Sequence, residues 1–176
     1  KPFWATEMAY LADLIEANVI DLGFGHLVAD IGAGPATDST QLKNAGMDVL
    51  SFDYSRGMLK LAKELSPSLN LTEADTYFLP LPYESLDGFW ACASILHLED
   101  TQKGLLEINR VTKLHGVGFI SIKEGEGEAV DERTGYYFKY QEDPTFQELI
   151  NACGFEILAT GRKTGTPRHE WLTYHV

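Results

Sequence analysis

Between Ala5 and Asn18 the apolar residues Met8, Leu11, Ala12 and Ile15 return at helical spacing and leave the remaining faces polar, which predicts an amphipathic first helix. "LVADIGAGPATDS" then opens with an apolar run of strand length and turns on glycines. Thr37 or Asp38 stands where a helix cap belongs, and that helix is predicted to end near residues 44–47 with Gly46 as its stop. "DVLSFD" (48–53) reads as a second strand. In "YSRGMLKLAKELSP" (54–67) Met58, Leu61, Ala62 and Leu65 repeat at i, i+3, i+4 and i+7 before Pro67 ends the pattern, so a helix follows. "LNLTEAD" (69–75) and "LDGFWACASILHL" (86–98) read as the third and fourth strands, "TQKGLLEINRVTKL" (101–114) as a helix stopping at "HGVG", and "VGFISIKE" (117–124) as the fifth strand.

This alternation with short turns argues for parallel βαβ units with helices on both faces of one sheet. After the fifth strand the pattern changes. "GEGEAVDERTG" (125–135) is acidic and glycine-rich without periodicity and reads as a loop. "PTFQELINACGF" (144–155) is a helix with Phe146, Leu149, Ile150 and Cys153 on one face, and "FEILATGR" (155–162) and "HEWLTYHV" (169–176) read as closing strands. No internal repeat is visible, and 176 residues suit one domain spanning 1–176.

Composition narrows the partners more than the fold. With 14 Lys plus Arg against 26 Asp plus Glu, the net charge of -12 disfavours long-range attraction of nucleic acid or of an anionic membrane. "ATGRKTGTPRHEW" is a local basic exception. Cys92 and Cys153 lie in apolar contexts without metal-ligand spacing and read as free thiols of a reducing compartment. No apolar run approaches the roughly 20 residues that span a bilayer, and no signal pattern opens the chain. A cytoplasmic location is the expectation, although the start at "KPFW" without Met points to residues missing upstream.

In an open parallel sheet, ligands bind beyond the carboxyl ends of the strands where strand order reverses. Gly32 and Gly34 free the backbone to turn sharply there, and a following helix N-terminus offers unpaired N–H groups. Three carboxylates then fall at or near successive strand ends: Asp30, Asp53 and Asp75. An acid about twenty residues after the glycine turn is placed to accept ribose hydroxyls. Asp30 would repel a pyrophosphate, and Thr37 occupies the third glycine position of a dinucleotide fingerprint. A cationic nucleoside without phosphate, S-adenosylmethionine, suits the set better.

The ordered motifs "VADIGAGPATDSTQLKNAGMDVLSFDYSRGMLKLAK", "EADTYFLPLPYESLDGFWACASILHL" and "EINRVTKLHGVGFISIKEGEGE" resemble the class I (Rossmann-like, seven-stranded) S-adenosylmethionine-dependent methyltransferases over nearly the whole chain. Family members commonly read "LKPGG" where this chain has "TKLHG". The resemblance implies an α/β three-layer sandwich with a seven-stranded, mostly parallel sheet whose last strand is antiparallel, and S-adenosyl-L-homocysteine as product. Residue by residue, it implies that Asp30, Gly32, Ala33 and Gly34 form the methionine-side loop and that Asp53 holds the ribose. Tyr54 and Met58 would pack on adenine, Asp75 would accept from its amino group beside the Thr76 backbone, and Ala93 and Ser94 would lie near the methionine. Ala36 departs from the glycine that many relatives carry.

Methyl transfer is an in-line displacement, so alignment and water exclusion matter most, and a base is needed only where the acceptor must lose a proton. His97 is the candidate base by its pKa, against a structural role. Lys123 and Glu124 end the fifth strand at the same edge, and "TGYYFKY" (134–140) offers aromatic rings to wall an acceptor pocket. Glu124, Glu126, Glu128, Asp131 and Glu132 read as a solvated loop, or as a lid attracting a cationic acceptor. Phe3, Trp4 and the first helix are placed either to cover the cofactor or to anchor packing. His169 with Glu170 is too sparse for a metal site, and no metal is expected. A small-molecule acceptor is the leading reading. An RNA-modifying methyltransferase (the "KEGEGE" and "YYFKY" layout is similar to wobble-uridine tRNA methyltransferases), a nicotinamide-binding oxidoreductase and a catalytically silent cofactor-binding domain stay open beside it.

Overall fold

A computed structural model of the protein describes residues 3–165 and 170–176. Its elements run α1 (Ala5–Leu22), β1 (Leu27–Ile31), α2 (Thr37–Asn44), β2 (Asp48–Asp53), α3 (Arg56–Leu65), β3 (Asn70–Glu73), β4 (Leu86–Cys92), α4 (Thr101–Val111) and β5 (Thr112–Lys123). Then follow β6 (Glu128–Val130), β7 (Tyr137–Lys139), α5 (Asp143–Ala152), β8 (Ala159–Thr164) and β9 (Glu170–His175). Seven strands form one sheet in the order β3-β2-β1-β4-β5-β9-β8. β1 to β5 are mutually parallel, and β9, the last strand, runs antiparallel between β5 and β8. This is the α/β sandwich expected.

The layers follow from period-two alternation in strands buried on both sides. Val28, Trp90 and Phe119 face Met8, Leu11 and Ile15 of α1 and Leu42 of α2. Their neighbours Ala29, Phe89 and Ile120 face the other way, onto Leu105 and Ile108 of α4 and Phe146 and Ile150 of α5. Trp90 stacks on Phe119 at 4.1 Å between ring centroids, and its indole N–H donates to Asp38 at 2.9 Å, so the largest core side chain is also polar-satisfied. At the amino edge of the sheet the Asp87 carboxylate accepts the N–H groups of Gly25 and Leu27 and the Lys113 ammonium. Burial opposes that charge, yet Lys113 and the two N–H donors outweigh it and hold Asp87 below the usual carboxylate range. Strand order reverses between β1 and β4, and the opposite, carboxyl edge there is where a ligand belongs.

Several local expectations are corrected. Neither Thr37 nor Asp38 caps α2. The cap position is Ala36, in a left-handed conformation (φ 58°), and Asp38 lies inside the first turn, bonded to Trp90. The fourth strand ends at Cys92, and Ile95–His97 forms a single 3-10 turn instead of more strand. The helix expected to reach Leu114 stops at Val111 because Thr112 already pairs with Leu86 in the sheet. Residues 125–135 are not wholly loop: Glu128–Val130 pairs antiparallel with Tyr137–Lys139 as a small hairpin. Trp4 packs edge-on against Phe119 and Trp171, as an anchor of the first helix. Cys92 and Cys153 are free thiols. Among the described residues no helix is long and apolar enough to cross a membrane.

Candidate active site

The loops after β1, β2, β3 and β4 share the carboxyl edge, and the glycine turn is built first. Gly32 (φ 72°) and Gly34 (φ 53°) adopt left-handed backbone that lets residues 32–36 reverse within one turn of chain. The Gly32 and Ala33 N–H groups both donate to the Phe52 carbonyl, at 2.8 and 2.9 Å, and the Gly34 N–H donates to Asp53 Oδ2 at 2.6 Å. Asp53, the last residue of β2, also accepts the Ser55 N–H on Oδ1 at 2.7 Å, so one carboxylate ties two loops together.

Asp30 lies beneath this turn. It is buried, and Ser39 Oγ of α2 donates to it at 2.5 Å while Ser51 Oγ of β2 donates to Ser39 at 2.8 Å. Burial pushes the Asp30 carboxyl up to about 7, against the bonds from Ser39 and reinforced by the charges of Asp38 and Asp53. Ser39 and Ser51 were not anticipated; the signal for Ser51 was a lone hydroxyl inside the apolar strand "VLSF".

At the end of β4, Ala93 is held at φ 51° and its N–H donates to Ser121 Oγ at 2.9 Å. The next residue, Ser94, presses on the glycine turn: a Cβ at Gly32 would lie 2.4 Å from Ser94 Cβ. Ser94 Oγ is the one buried side-chain polar atom without a hydrogen-bond partner among the described residues. A buried hydroxyl left unpaired carries a desolvation cost, which a ligand bond removes.

On the far side of Asp53, Asp75 lies two residues beyond the end of β3 instead of closing it, and accepts the Tyr77 N–H at 2.9 Å. The neighbouring Ala74 N–H donates to the Asp53 carbonyl at 3.1 Å, which keeps this loop beside the β2 end. Thr76 is half-buried and Met58, in the first turn of α3, is half-buried too. Tyr54 is 78% exposed, so its ring stands largely in solvent.

The hairpin of β6 and β7 packs against the turn after β4. His97 Nδ1 donates to the Tyr137 carbonyl of β7 at 2.7 Å, and its ring lies against Tyr136 and Phe138 at 5.5 and 4.7 Å. Desolvation, followed by the charge of Lys123, holds the imidazole below its ordinary pKa, outweighing the Tyr137 bond. Lys123 lies over the Phe138 ring at 4.1 Å. The acidic residues are not a free run: Glu124 pairs with Arg162, Glu128 approaches Lys139 at 3.8 Å, and Asp131 accepts the Arg133 and Thr134 N–H groups in the hairpin turn. Among the described residues no group of three His, Cys, Asp or Glu side chains is placed to hold a metal ion, and His169 lies outside those residues.

Residues 29–120 match the family described as "Methyltransferase domain". A demethylmenaquinone methyltransferase of Renibacterium salmoninarum is 35% identical over 92 residues, which are 52% of this chain and 39% of that protein. The chain thus spans well under half the length of that curated relative. Among solved structures, a SAM-dependent methyltransferase of Methanosarcina mazei superposes with a TM-score of 0.74 at 18% identity, over 86% of this chain and 91% of that one. The 1,6-didemethyltoxoflavin-N1-methyltransferase of Burkholderia thailandensis, solved with 1,6-didemethyltoxoflavin and S-adenosylhomocysteine bound, superposes with a TM-score of 0.72 at 19% identity, over 97% and 78%. These structural likenesses confirm the fold, and the match over 29–120 supplies the family: the chain belongs to the methyltransferase-domain family, folded as the seven-stranded α/β sandwich of those solved structures.

Proposed function

We propose that this domain binds S-adenosylmethionine along the carboxyl edge of β1, β2 and β4 and directs its methyl group to a small-molecule acceptor. The observation that carries the reading is the buried Ser94 hydroxyl, unpaired among the described residues and set against Gly32, the position of the turn where a Cβ has no room. The residues fit the cofactor. Asp53 supplies the carboxylate for the ribose hydroxyls, Asp75 and the Thr76 backbone the acceptors and donors for adenine, and Met58 with Tyr54 its apolar cover. Asp30, beneath Gly32, Ala33 and Gly34, sets a carboxyl where the cofactor is cationic. Ala93 and Ser94 bound the methionine end. When bound, S-adenosylmethionine supplies a methyl group already activated by positive sulfur, so alignment and water exclusion are what remains for the protein.

A nicotinamide dinucleotide is poorly served by the same site. The N–H groups of Gly32, Ala33 and Gly34 are spent on Phe52 and Asp53, and Asp30 itself takes the Ser39 donor at the start of α2, where a pyrophosphate would need free donors. His97 is assigned the proton-accepting role for an acceptor that must be deprotonated: with its Nδ1–H given to Tyr137, Nε2 is the basic nitrogen. The family match ends at residue 120, before Lys123 and the hairpin, so the relatives' acceptor is not carried over. Two free thiols support a reducing compartment such as the cytoplasm. Calorimetry of the purified protein with S-adenosylhomocysteine tests the reading. Binding in the micromolar range is the expected outcome, and no heat up to millimolar ligand would overturn it.

A further inference from the structure

Four lysines among the described residues are half-buried: Lys113, Lys123, Lys139 and Lys163. Three of them have oxygen partners. Lys113 meets Asp87, Lys139 meets the Glu99 carbonyl, and Lys163 meets Glu7 and the Phe3 carbonyl. Lys123 has none among the described residues; its ammonium rests on the faces of Phe138 at 4.1 Å and Trp171 at 5.6 Å. An ammonium gives up hydration when it is partly buried, and a ring quadrupole returns only part of that loss. Desolvation accordingly lowers its pKa. Asp131 is the carboxylate whose charge acts on it, and that side chain is already engaged by two backbone donors in the hairpin turn.

The position matters as much as the missing partner. Lys123 ends β5, two residues beyond Ser121, which pairs with Cys92, so it stands level with Ser94 at the end of β4. Phe138 touches both Lys123 and His97, and Trp171, opposite Lys123 in the β5–β9 ladder, closes the other side. A cation and an imidazole thus share one wall of aromatic rings. An aromatic wall that carries a cation suits a conjugated ligand of opposite charge.

We propose that Lys123 is the specificity-determining residue for the methyl acceptor, and that the acceptor is a planar conjugated molecule bearing an anionic oxygen, carboxylate or ionised hydroxyl, that pairs with the Lys123 ammonium. The proposal deepens the methyl-transfer reading and rests on it for the identity of the site. It also explains why a chain of net charge -12 keeps the Lys123 ammonium at this edge without an oxygen partner among the described residues.

The test uses 2-naphthoate and its uncharged isostere 2-naphthamide as probes, titrated by calorimetry into the purified protein with and without S-adenosylhomocysteine. Wild-type protein is expected to bind 2-naphthoate at least about tenfold more tightly than 2-naphthamide, the size of a charge-assisted hydrogen bond. Lys123→Met is expected to erase that preference while keeping affinity for S-adenosylhomocysteine, which also reports that the variant is folded; Lys123→Arg should keep part of it. No binding of 2-naphthoate, equal affinity for the two probes in wild-type protein, or a preference that survives in Lys123→Met would each overturn the assignment. Loss of S-adenosylhomocysteine binding by the wild-type protein refutes the methyl-transfer reading instead, and the preference between the two probes still decides the role of Lys123.

Discussion

The Asp53 carboxylate accepts the Gly34 N–H at 2.6 Å and thereby fixes the glycine turn after β1 to the end of β2. With Ser55 on its other oxygen, the side chain holds both loops in place before any ligand arrives. Asp53→Ala leaves two backbone donors without their acceptor and removes the carboxylate assigned to the ribose. Hydrogen bonds to a charged group contribute about 1.5–3 kcal/mol each. Affinity for S-adenosylhomocysteine should therefore drop by at least about tenfold. Calorimetry measures this directly, and wild-type affinity in the variant would take Asp53 out of the site.

The two turn glycines should respond very differently to alanine. At Gly32 a new Cβ meets Ser94 Cβ at 2.4 Å in a positive-φ conformation, whereas at Gly34 the space is open and only the backbone conformation opposes it. Gly34→Ala should cost about 1–2 kcal/mol of stability, the left-handed penalty alone. Gly32→Ala must also displace the end of β4 and should cost clearly more. Ala36, with φ 58° and its methyl buried, already bears that penalty in the wild type. Relief of strain in Ala36→Gly is offset by about 0.8 kcal/mol for the lost buried methyl, so the change should stay within about 1 kcal/mol. Urea unfolding midpoints give the order, and Gly34→Ala proving worse than Gly32→Ala contradicts it.

The sheet was legible because its code is local. Period-two runs such as "DVLSFD" and helical repeats such as Met58, Leu61, Ala62 and Leu65 each carry their own signal, and the carboxyl edge follows from their order. Asp30 and Asp53 could be placed on strands from the same pattern. What the sequence hid depends on contacts made across the fold. Ser39 reads as an ordinary residue of a helix first turn until α2 docks over β1 and brings its hydroxyl to Asp30. The hairpin at 128–139 was invisible because its strands are three residues each, too short for alternation to register, and its contact with His97 is made across the fold. Lys123 was visible as a strand-end lysine, but its lack of an oxygen partner among the described residues is a property of the folded surroundings.

His97 anchors the hairpin through Nδ1 and is assigned a second role through Nε2. His97→Asn separates the two, because the asparagine amide donates where Nδ1–H did and has no basic nitrogen. Once an acceptor supports turnover, this variant should keep its affinity for S-adenosylhomocysteine and lose roughly a hundredfold in kcat, the usual weight of a positioned base. The acid limb of the wild-type kcat profile should fall below about pH 6.5, since desolvation lowers the imidazole pKa. Unchanged kcat in His97→Asn would leave the residue as a hairpin anchor only. His97→Ala removes the Tyr137 bond as well, and faster protease cleavage between residues 125 and 135 should report the loosened hairpin.

Asp30 makes the stability of the free protein depend on pH in an uncommon direction. In the unfolded chain an aspartate titrates near 3.9, whereas burial raises Asp30 to about 7 in the folded state. Between these values the folded state holds more protons, so its contribution is fully present below about pH 3.9 and is lost as pH rises through about 7. The full span corresponds to at most about 4 kcal/mol. Asp30→Asn keeps an oxygen to accept from Ser39 and cannot ionise. The difference in unfolding free energy between variant and wild type should therefore grow in the variant's favour from pH 5 to about pH 8. His97 and His175, both lowered by burial, titrate in the two proteins alike and cancel from that difference. A pH-independent difference would mean that Asp30 stays ionised beneath the glycine turn and that its bond from Ser39 outweighs burial.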